Sequence, residues 1–330
     1  MDSPNTQLLF FQHIKSLLPA HLSLADEIAD LLTISTDSAY RRIRGEKGIS
    51  MEEMQVLASH YKISIDQFLH IKTDSFLFSG RLANSSDFSF EQWLGGVLQQ
   101  VSFFNSFKNK HVYYLAKDLP LMQQFLVPEL LAFKSFLWRK SILHLDEMRQ
   151  QQFSIDNLDP VHWDLGQKIV SVYNQVPSTE IWNIESINST IRQIEFYREV
   201  ELFKNESDIK KLYESVLQIV DHLEKQAECG LKSLIGQAPL HNAATYQMFN
   251  NELVLGDNAI LAELDDIKMG FLTHNTLNFI YTRDERFCNY TLGALKNLVA
   301  KSTQLSRVGE KDRLRFFNRI REKIKLAARL

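Results

Sequence analysis

The sequence contains few of the residues and motifs that commonly reveal a function. It has two cysteines in 330 residues, Cys229 and Cys288, and no CxxC pair, so neither a disulfide framework nor a cysteine-based zinc site is indicated. HExxH, GxSxG, GxGxxG and P-loop motifs do not occur, and the ten histidines are scattered along the chain. We therefore expect no metal, no cofactor and no catalytic residues, and hence a protein that is not an enzyme.

Long apolar runs are missing as well. The most apolar stretch, near residues 125–138, is interrupted by Pro128, Glu129 and Lys134. It falls short of the roughly 20 apolar residues that cross a bilayer. The first seven residues lack the basic start of a signal peptide. Together with the low cysteine content, these features lead us to expect a soluble protein of the reducing cytoplasm, without membrane attachment.

Charge is slight overall but uneven along the chain. The net charge is −3, yet residues 296–330 carry eleven Lys/Arg against three Asp/Glu, and residues 1–72 carry seven against nine. Within the basic C-terminal segment, Phe316, Ile320 and Ile324 recur every four residues, which is typical of a helix with a buried stripe. This segment either adds contacts to DNA phosphates or packs on the acidic middle of the chain, and we favour packing.

The first 72 residues are organised as a series of short helices. Ser50 with Glu53, and Ser64 with Gln67, form the S-x-x-E/Q pattern of a capping box, and Ser23 provides a weaker start signal. Apolar residues follow each start at helical spacing. We predict a bundle of about five helices over residues 1–72, with the features of a helix-turn-helix domain.

The remaining chain is predicted to be a linker and a second, larger domain. Residues 73–88 contain Gly80 and a polar run, and form the predicted linker. Residues 89–330 are predicted to be mainly helical (α+β), with a strand near 112–115 and a small antiparallel sheet near 252–282. In that sheet we expect two hairpins, the first pairing 252–255 with 259–264 and the second pairing 269–273 with 276–282. A further division near residue 239 is left open.

Residues 23–45 have the organisation of a helix-turn-helix. Residues 23–32 supply a supporting helix, Thr33 and Ile34 a turn, and Ser35 or Thr36 the cap of the next helix. Such a second helix enters the DNA major groove by its N-terminal residues. Helical geometry places Ala39, Tyr40 and Ile43 toward the bundle.

The same geometry assigns six side chains to DNA. Arginine bonds guanine bidentately and hydroxyls bond several bases, so we assign Thr36, Ser38 and Arg41 to base contacts. Arg42, Arg44 and Lys47 flank that face and are assigned to phosphates, which set the register of the complex. The alternative function is an interaction or scaffold protein whose helical bundle docks a protein partner. The net negative charge of residues 1–72 favours it slightly.

Residues 24–69 resemble the Cro/C1-type (XRE) helix-turn-helix of bacterial transcription regulators. The matching segments are Leu24-Ala25, Ile34-Ser35, residues 40–45, residues 49–54 with Leu57-Ala58, and residues 63–69. The resemblance implies a sequence-specific regulator of transcription that binds double-stranded DNA. The family's usual turn glycine falls at Thr33, and the spacing from Ser35 to Tyr40 is one residue longer than usual. A homodimer is expected, because one such domain reads few bases and two-fold proteins match palindromic sites.

The larger domain is expected to sense an effector or to dimerise. Many of its 22 phenylalanines are expected in the core, and some could line an apolar cavity for a small molecule or peptide. The candidate polar contacts to such an effector are His274, Asn275, Asn278, Tyr281 and Arg283. Ordinary loop polarity explains His274 and Asn275 equally well.

Overall fold

The computed structural model describes residues 6–18, 22–61, 63–68, 75–80, 88–253, 256, 258–275 and 277–329. The chain divides into two units, Met1–Ser75 and Phe76–Leu330. The predicted fold class is confirmed: a helical N-terminal part is followed by a larger part that combines helices with a sheet.

The first unit contains five helices over its described residues. They are α1 (Thr6–Leu17), α2 (Leu24–Leu32), α3 (Thr36–Ile43), α4 (Met51–Tyr61) and α5 (Ile65–Phe68). Their apolar stripes meet in one core, which buries Phe10, Phe11, Ile14, Ile28, Ala29, Ala39 and Leu57. The predicted capping box at Ser50 is confirmed. The Glu53 N–H donates to Ser50 Oγ at 3.2 Å, and the Ser50 N–H donates to Glu53 Oε2 at 3.1 Å.

The second unit combines seven helices with seven strands in its described part. The helices are α6 (Phe90–Asn105), α7 (Pro128–Leu137), α8 (Pro160–Tyr173), α9 (Asn188–Glu199), α10 (Ser207–Cys229), α11 (Glu285–Ala300) and α12 (Glu310–Ala328). The strands are β1 (Lys110–Leu115), β2 (Ser178–Trp182), β3 (Tyr246–Asn250), β4 (Ala259–Leu264), β5 (Ile267–Thr273), β6 (Phe279–Thr282) and β7 (Thr303–Gln304). A single π turn, Trp138–Ile142, continues α7.

The strands form one mixed sheet in the order β6-β5-β4-β1-β2-β3-β7. Its centre, β1-β2-β3, is parallel, and every other pair is antiparallel. Parallel neighbours need long crossover connections, which α7 and α8 provide between β1 and β2, and α9 and α10 between β2 and β3. Strand β3 therefore joins the chain before and after residue 239 in one sheet.

The predicted small sheet is the antiparallel half of this larger one, and its first hairpin was wrong. Strand β4 pairs with β5 and β1, not with residues 252–255. Glu252 and Leu253 lie in a bend, while residues 254, 255, 257 and 276 are outside the described residues. The local Gly-Asp-Asn signal could not show this, because the neighbour of β4 in the sheet lies about 150 residues earlier in the chain.

Helices cover both faces of the sheet. The larger core lies on the face reached by Tyr114, Trp182 and Tyr246, under α6 to α10 and α12. On the other face Leu115, Ile181 and Leu261 pack against Cys288, Leu292 and Leu295 of α11. The centre of the sheet is consequently sealed from water, and all five residues of β2 are buried.

A carboxylate lies in this sealed centre and is fully hydrogen-bonded. Glu180 Oε2 accepts from Trp182 Nε1 and Tyr246 Oη, each at 2.8 Å. Its Oε1 accepts from Gln123 Nε2 and Tyr173 Oη, each at 3.4 Å. Burial raises the pKa of both tyrosines, so they remain donors at physiological pH. Four donors compensate the desolvation of one carboxylate, which identifies Glu180 as a structural residue.

His111 of β1 should make the stability of the second unit depend on pH. Its Nε2 lies 2.8 Å from Thr179 Oγ1, and burial, with Lys232 and Lys296 nearby, lowers its pKa from 6.5 to about 4. Between these values the unfolded chain binds a proton that the folded chain does not, so stability falls as pH drops from 6.5 toward 4. Urea unfolding at stepped pH should show this dependence in the wild type and a flatter one in His111→Gln. His241→Gln, at an exposed position, should behave as the wild type does.

The C-terminal helix α12 packs on the second unit, as we favoured from the sequence. Phe316, Phe317, Ile320 and Ile324 are buried in the large core. Arg321 bridges Asp221 and Glu224 of α10, and Lys323 Nζ lies 2.6 Å from Glu185 Oε1. Part of the basic charge is therefore matched by acidic side chains of the middle of the chain.

Residues 75–80, within the predicted linker, lie along the sheet. The Ser79 N–H donates to Tyr281 O at 2.7 Å, and the Tyr281 N–H donates back to Ser79 O at 2.8 Å. The rings of Phe76 and Phe78 lie 5.4 and 5.1 Å from that of Phe287. Residues 73, 74 and 81–87 of the predicted linker lie outside the described residues. Among the helices described, none combines the length and apolar character required to cross a bilayer.

Candidate nucleic-acid interface

The turn between α2 and α3 depends on an unusual backbone conformation at Thr33. This residue is left-handed, with φ 53° and ψ 48°. The Ile34 N–H donates to Ala29 O at 2.9 Å and the Thr33 N–H to Asp30 O at 3.3 Å, which is the Schellman arrangement that ends many helices. Glycine usually fills this position, because a β-branched residue is strained there.

Replacing Thr33 with glycine should therefore stabilise the first unit. Removing the β-branched side chain relieves strain of about 1 kcal/mol, net of glycine's larger entropy in the unfolded chain. Hydrogen exchange of the full-length protein should slow about fivefold at amides of α2 and α3. Arg329 is also left-handed, at the end of α12. Arg329→Gly offers a matched control that should leave α2 and α3 unchanged, and faster exchange in Thr33→Gly would contradict the strain.

The N-terminus of α3 is capped by Ser35. Its Oγ accepts from the Ser38 N–H at 3.3 Å and donates to Ser38 Oγ at 3.0 Å. The cap satisfies a backbone donor that a helix start leaves free. The hydroxyl of Ser38 is thus engaged within the protein and half-buried, whereas Thr36 in the same turn is exposed.

The C-terminus of α3 ends in a second Schellman motif. Gly45 has φ 74°, the Glu46 N–H donates to Arg41 O at 2.8 Å, and the Gly45 N–H donates to Arg42 O at 3.0 Å. Here glycine occupies the left-handed position without strain. The motif turns the chain sharply and places Lys47 just beyond the helix.

Gln7 of α1 holds this end of α3 in place. Its Nε2 donates to Arg42 O and Lys47 O, each at 2.7 Å, and its Oε1 accepts from the Ile49 N–H at 3.1 Å. All three bonds join residues at least 35 positions apart. Sequence reasoning did not identify Gln7, since nothing local marks a glutamine as a tertiary contact.

Arg42 does not fit the predicted phosphate contact. Only 5% of its surface is exposed, and its Nε and Nη2 donate to Glu53 of α4 at 2.9 and 2.5 Å. Its Nη1 donates to Ser38 O at 3.1 Å. The hydrogen bonds to Glu53 raise the pKa of Arg42, and Arg42 in turn lowers the pKa of Glu53. The correction follows from this pair: the guanidinium joins α3 to α4 inside the unit and is not presented to a ligand.

The exposed face of α3 differs from the predicted one at Tyr40. Ala39 is buried with Arg42, but 49% of Tyr40 is exposed, so Tyr40 points away from the bundle. With Ala39 as the inward residue, the spacing from Ser35 is one residue shorter than we counted. Exposed side chains at helical spacing now form one continuous face, which comprises Thr36, Asp37, Tyr40, Arg41 and Arg44.

The charges on this face are mainly positive. Arg41 and Lys47 are exposed and make no side-chain hydrogen bond or ion pair within the described residues. Arg44 Nε lies 3.2 Å from Glu46 Oε1, and both side chains are about half exposed, so this surface pair is weak. Arg44 can exchange Glu46 for an external anion at little cost, and the surface suits a polyanion.

The five predicted effector contacts do not converge on a cavity. Asn275 Oδ1 accepts from the N–H groups of Leu277 and Asn278 and so closes its own loop. Tyr281 pairs with Ser79 through the backbone, and the Arg283 guanidinium lies 5.7 Å from the Phe103 ring. His274 is exposed. None of the five lines either of the two described pockets, although their neighbours Thr273 and Phe279 line one.

The cysteines and histidines supply no metal centre in the part of the chain that is described. No group of three or more His, Cys, Asp or Glu residues there is arranged to hold a metal ion. Burial raises the pKa of the Cys288 thiol, so it is not an activated nucleophile.

Comparison with known proteins identifies the first unit. Neither a curated protein nor a solved structure matches the chain. Residues 5–81, less than a quarter of the chain, match the family model of the BetR domain. These residues form a BetR domain, a DNA-binding domain of the helix-turn-helix type, with a role in regulation.

Proposed function

We propose that the protein is a sequence-specific transcriptional regulator of the Cro/C1 kind, in which α3 enters the major groove of double-stranded DNA. The observation that carries this proposal is the exposed face of α3, where Arg41 and Arg44 project from a helix fixed at both ends. A helix presented in this way fits the major groove and reaches base edges. The BetR match over the same residues supports it.

The residues on and beside this face divide by position. Thr36 and Tyr40 lie along one side of the helix and Arg41 beside them, so these three are assigned to base edges. Arg41 is the residue suited to bidentate bonding of guanine. Arg44 and Lys47, at the far end of the helix, are assigned to phosphates. Ser38, whose hydroxyl bonds Ser35, is assigned to positioning the first turn.

The second unit is proposed to provide sensing, dimerisation or both. A single reading helix contacts a few base pairs, and a two-fold dimer doubles the site and matches palindromic operators. The proposal places the protein in the cytoplasm of a bacterium and assigns it no catalytic step.

Binding as a function of salt tests the proposal. DNA ligands selected from a random pool by the full-length protein should share a motif and bind more tightly than unrelated duplexes. With Arg44 and Lys47 on phosphates in each protomer of a dimer, log K should fall against log salt with a slope of about −4. A slope near zero, or equal affinity for selected and unrelated DNA, would exclude sequence-specific recognition. Salt-insensitive capture of a protein by the first unit would favour the docking alternative.

A further inference from the structure

A pocket of about 180 Å³ lies in the second unit, where β1 ends and the chain enters the loop that follows. It is lined by Tyr114, Lys117, Asp118, Leu119, Leu121, Gln124, Trp138, Asn258, Thr273 and Phe279. In sheets with parallel strands, ligands commonly bind beyond the carboxyl ends of those strands. The pocket therefore occupies a position from which a ligand would contact the centre of the fold.

Three residues of this pocket carry buried polar atoms without a hydrogen-bond partner in the described chain. They are Gln124 Oε1, Trp138 Nε1 and Thr273 Oγ1. Trp138 and Gln124 are only 1% and 8% exposed. Leaving one such atom unsatisfied costs about 1–3 kcal/mol, so three around a single pocket indicate a missing partner.

The orientation of these groups defines what that partner must offer. Gln124 Nε2 donates to Leu119 O at 2.7 Å, which fixes its amide and leaves Oε1 as an acceptor. The indole nitrogen of Trp138 can only donate, whereas the Thr273 hydroxyl can do both. A ligand must therefore supply a donor, an acceptor and a third group of either kind.

The pocket is held in shape by its surroundings. Asn258 Oδ1 accepts from the Lys117 N–H at 2.9 Å and the Asp118 N–H at 3.3 Å, and so fixes the loop after β1. Trp138 begins the π turn that follows α7, an irregularity found frequently at functional sites. A preformed pocket does not lose the free energy of ordering its walls when a ligand binds.

Charge and size narrow the ligand further. The charged liners in the described pocket are Lys117 and Asp118, of opposite sign, and the buried unpartnered groups are neutral. A phosphate or dicarboxylate would find little net attraction here. The volume equals about six water molecules at roughly 30 Å³ each, which excludes a nucleotide.

We propose that this pocket binds a small, uncharged polyhydroxylated molecule of monosaccharide size. Each hydroxyl both donates and accepts, so adjacent hydroxyls can satisfy Gln124, Trp138 and Thr273 together. The apolar faces of Tyr114, Leu119 and Phe279 suit the C–H faces of such a molecule. The proposal goes beyond the DNA-binding function and does not depend on it.

Titration of the full-length protein with glucose, ribose and myo-inositol tests the proposal. Calorimetry and tryptophan fluorescence should show saturable binding of at least one of them below about 10 mM. Thr273→Val removes only the unpartnered hydroxyl, so it should weaken that binding about 3–10-fold while the midpoint of thermal unfolding stays unchanged or rises. Trp138→Phe should weaken binding to a similar extent. Ser135→Ala is the matched control, because Ser135 Oγ is also unpartnered within the described chain but lines the other pocket.

Glycine, serine and inorganic phosphate provide the comparison ligands. Binding of one of these with no binding of the three polyhydroxylated probes would overturn the assigned class. Absence of binding by all six compounds would overturn the proposal, and so would wild-type affinity in Thr273→Val. Because DNA is absent from these titrations, their failure leaves the DNA-binding proposal unaffected.

Discussion

Arg41→Ala should weaken binding to selected DNA about 5–150-fold, the loss expected for one bidentate contact to a base, worth about 1–3 kcal/mol. Binding to unrelated duplexes should change much less, since a base contact contributes only at the matching sequence. Fluorescence anisotropy of the full-length protein on selected and unrelated duplexes measures both affinities. The folded structure should be unaffected, because the Arg41 side chain is exposed.

Two control variants separate base from phosphate contacts. Lys47→Ala should weaken binding to both duplexes alike and reduce the salt slope by about one for each phosphate that the lysine no longer neutralises. Arg149→Ala removes an exposed arginine of the second unit and should leave both affinities as they are. If Arg41→Ala instead weakened both duplexes equally and lowered the slope, Arg41 would be a phosphate contact.

Glu53→Ala should destabilise the first unit by about 3 kcal/mol, because it leaves the Arg42 guanidinium buried without its partner. The Arg42 side chain is 6% exposed and that of Glu53 is 21% exposed. Arg42→Met, which leaves behind only the better-solvated carboxylate, should therefore cost less. Hydrogen exchange at amides of α3 and α4 in the full-length protein measures both effects.

A double-mutant cycle identifies the pair interaction. Arg42→Met combined with Glu53→Ala should cost less than the sum of the two single variants, since neither charge is then left alone. Glu52→Ala, in the same helical turn but exposed, should leave exchange unchanged. Additive effects would show that the two side chains do not stabilise each other.

The same variant tests the correction at Arg42. Where Arg42→Met is still folded, its binding to DNA should keep the wild-type salt slope, since the side chain does not reach phosphate. A slope reduced by about one for each protomer would return Arg42 to the DNA interface.

Local signals in the sequence predicted the helix starts of the first unit. Ser35 and Ser50 cap α3 and α4 because the bonds that satisfy a helix start lie within three residues of it. The inward side of α3 was harder to predict. Its arginine is buried by a glutamate eleven residues later, while its tyrosine is exposed. A rule that places apolar residues inside and charges outside assigns both of them to the wrong side.

The centre of the second unit was predicted least well, for a related reason. The polar residues of β2, Ser178-Thr179-Glu180, resemble a loop in the sequence. They are buried because Gln123 and Tyr246, more than 50 residues away on either side, supply the donors for Glu180. The pocket after β1 likewise assembles Tyr114, Trp138 and Thr273, whose separation no local pattern records.

The edges of the sheet limit how two copies of this chain could associate. At one edge β7 has two residues, too short to template a further strand. At the other, Ser79 already exchanges both backbone hydrogen bonds with Tyr281 of β6, and Phe76 and Phe78 hold that segment against Phe287. Continuous strand addition across two protomers is therefore disfavoured. A homodimer would join through side chains on helical surfaces, and loss of residues 76–80 would bare an aggregation-prone edge.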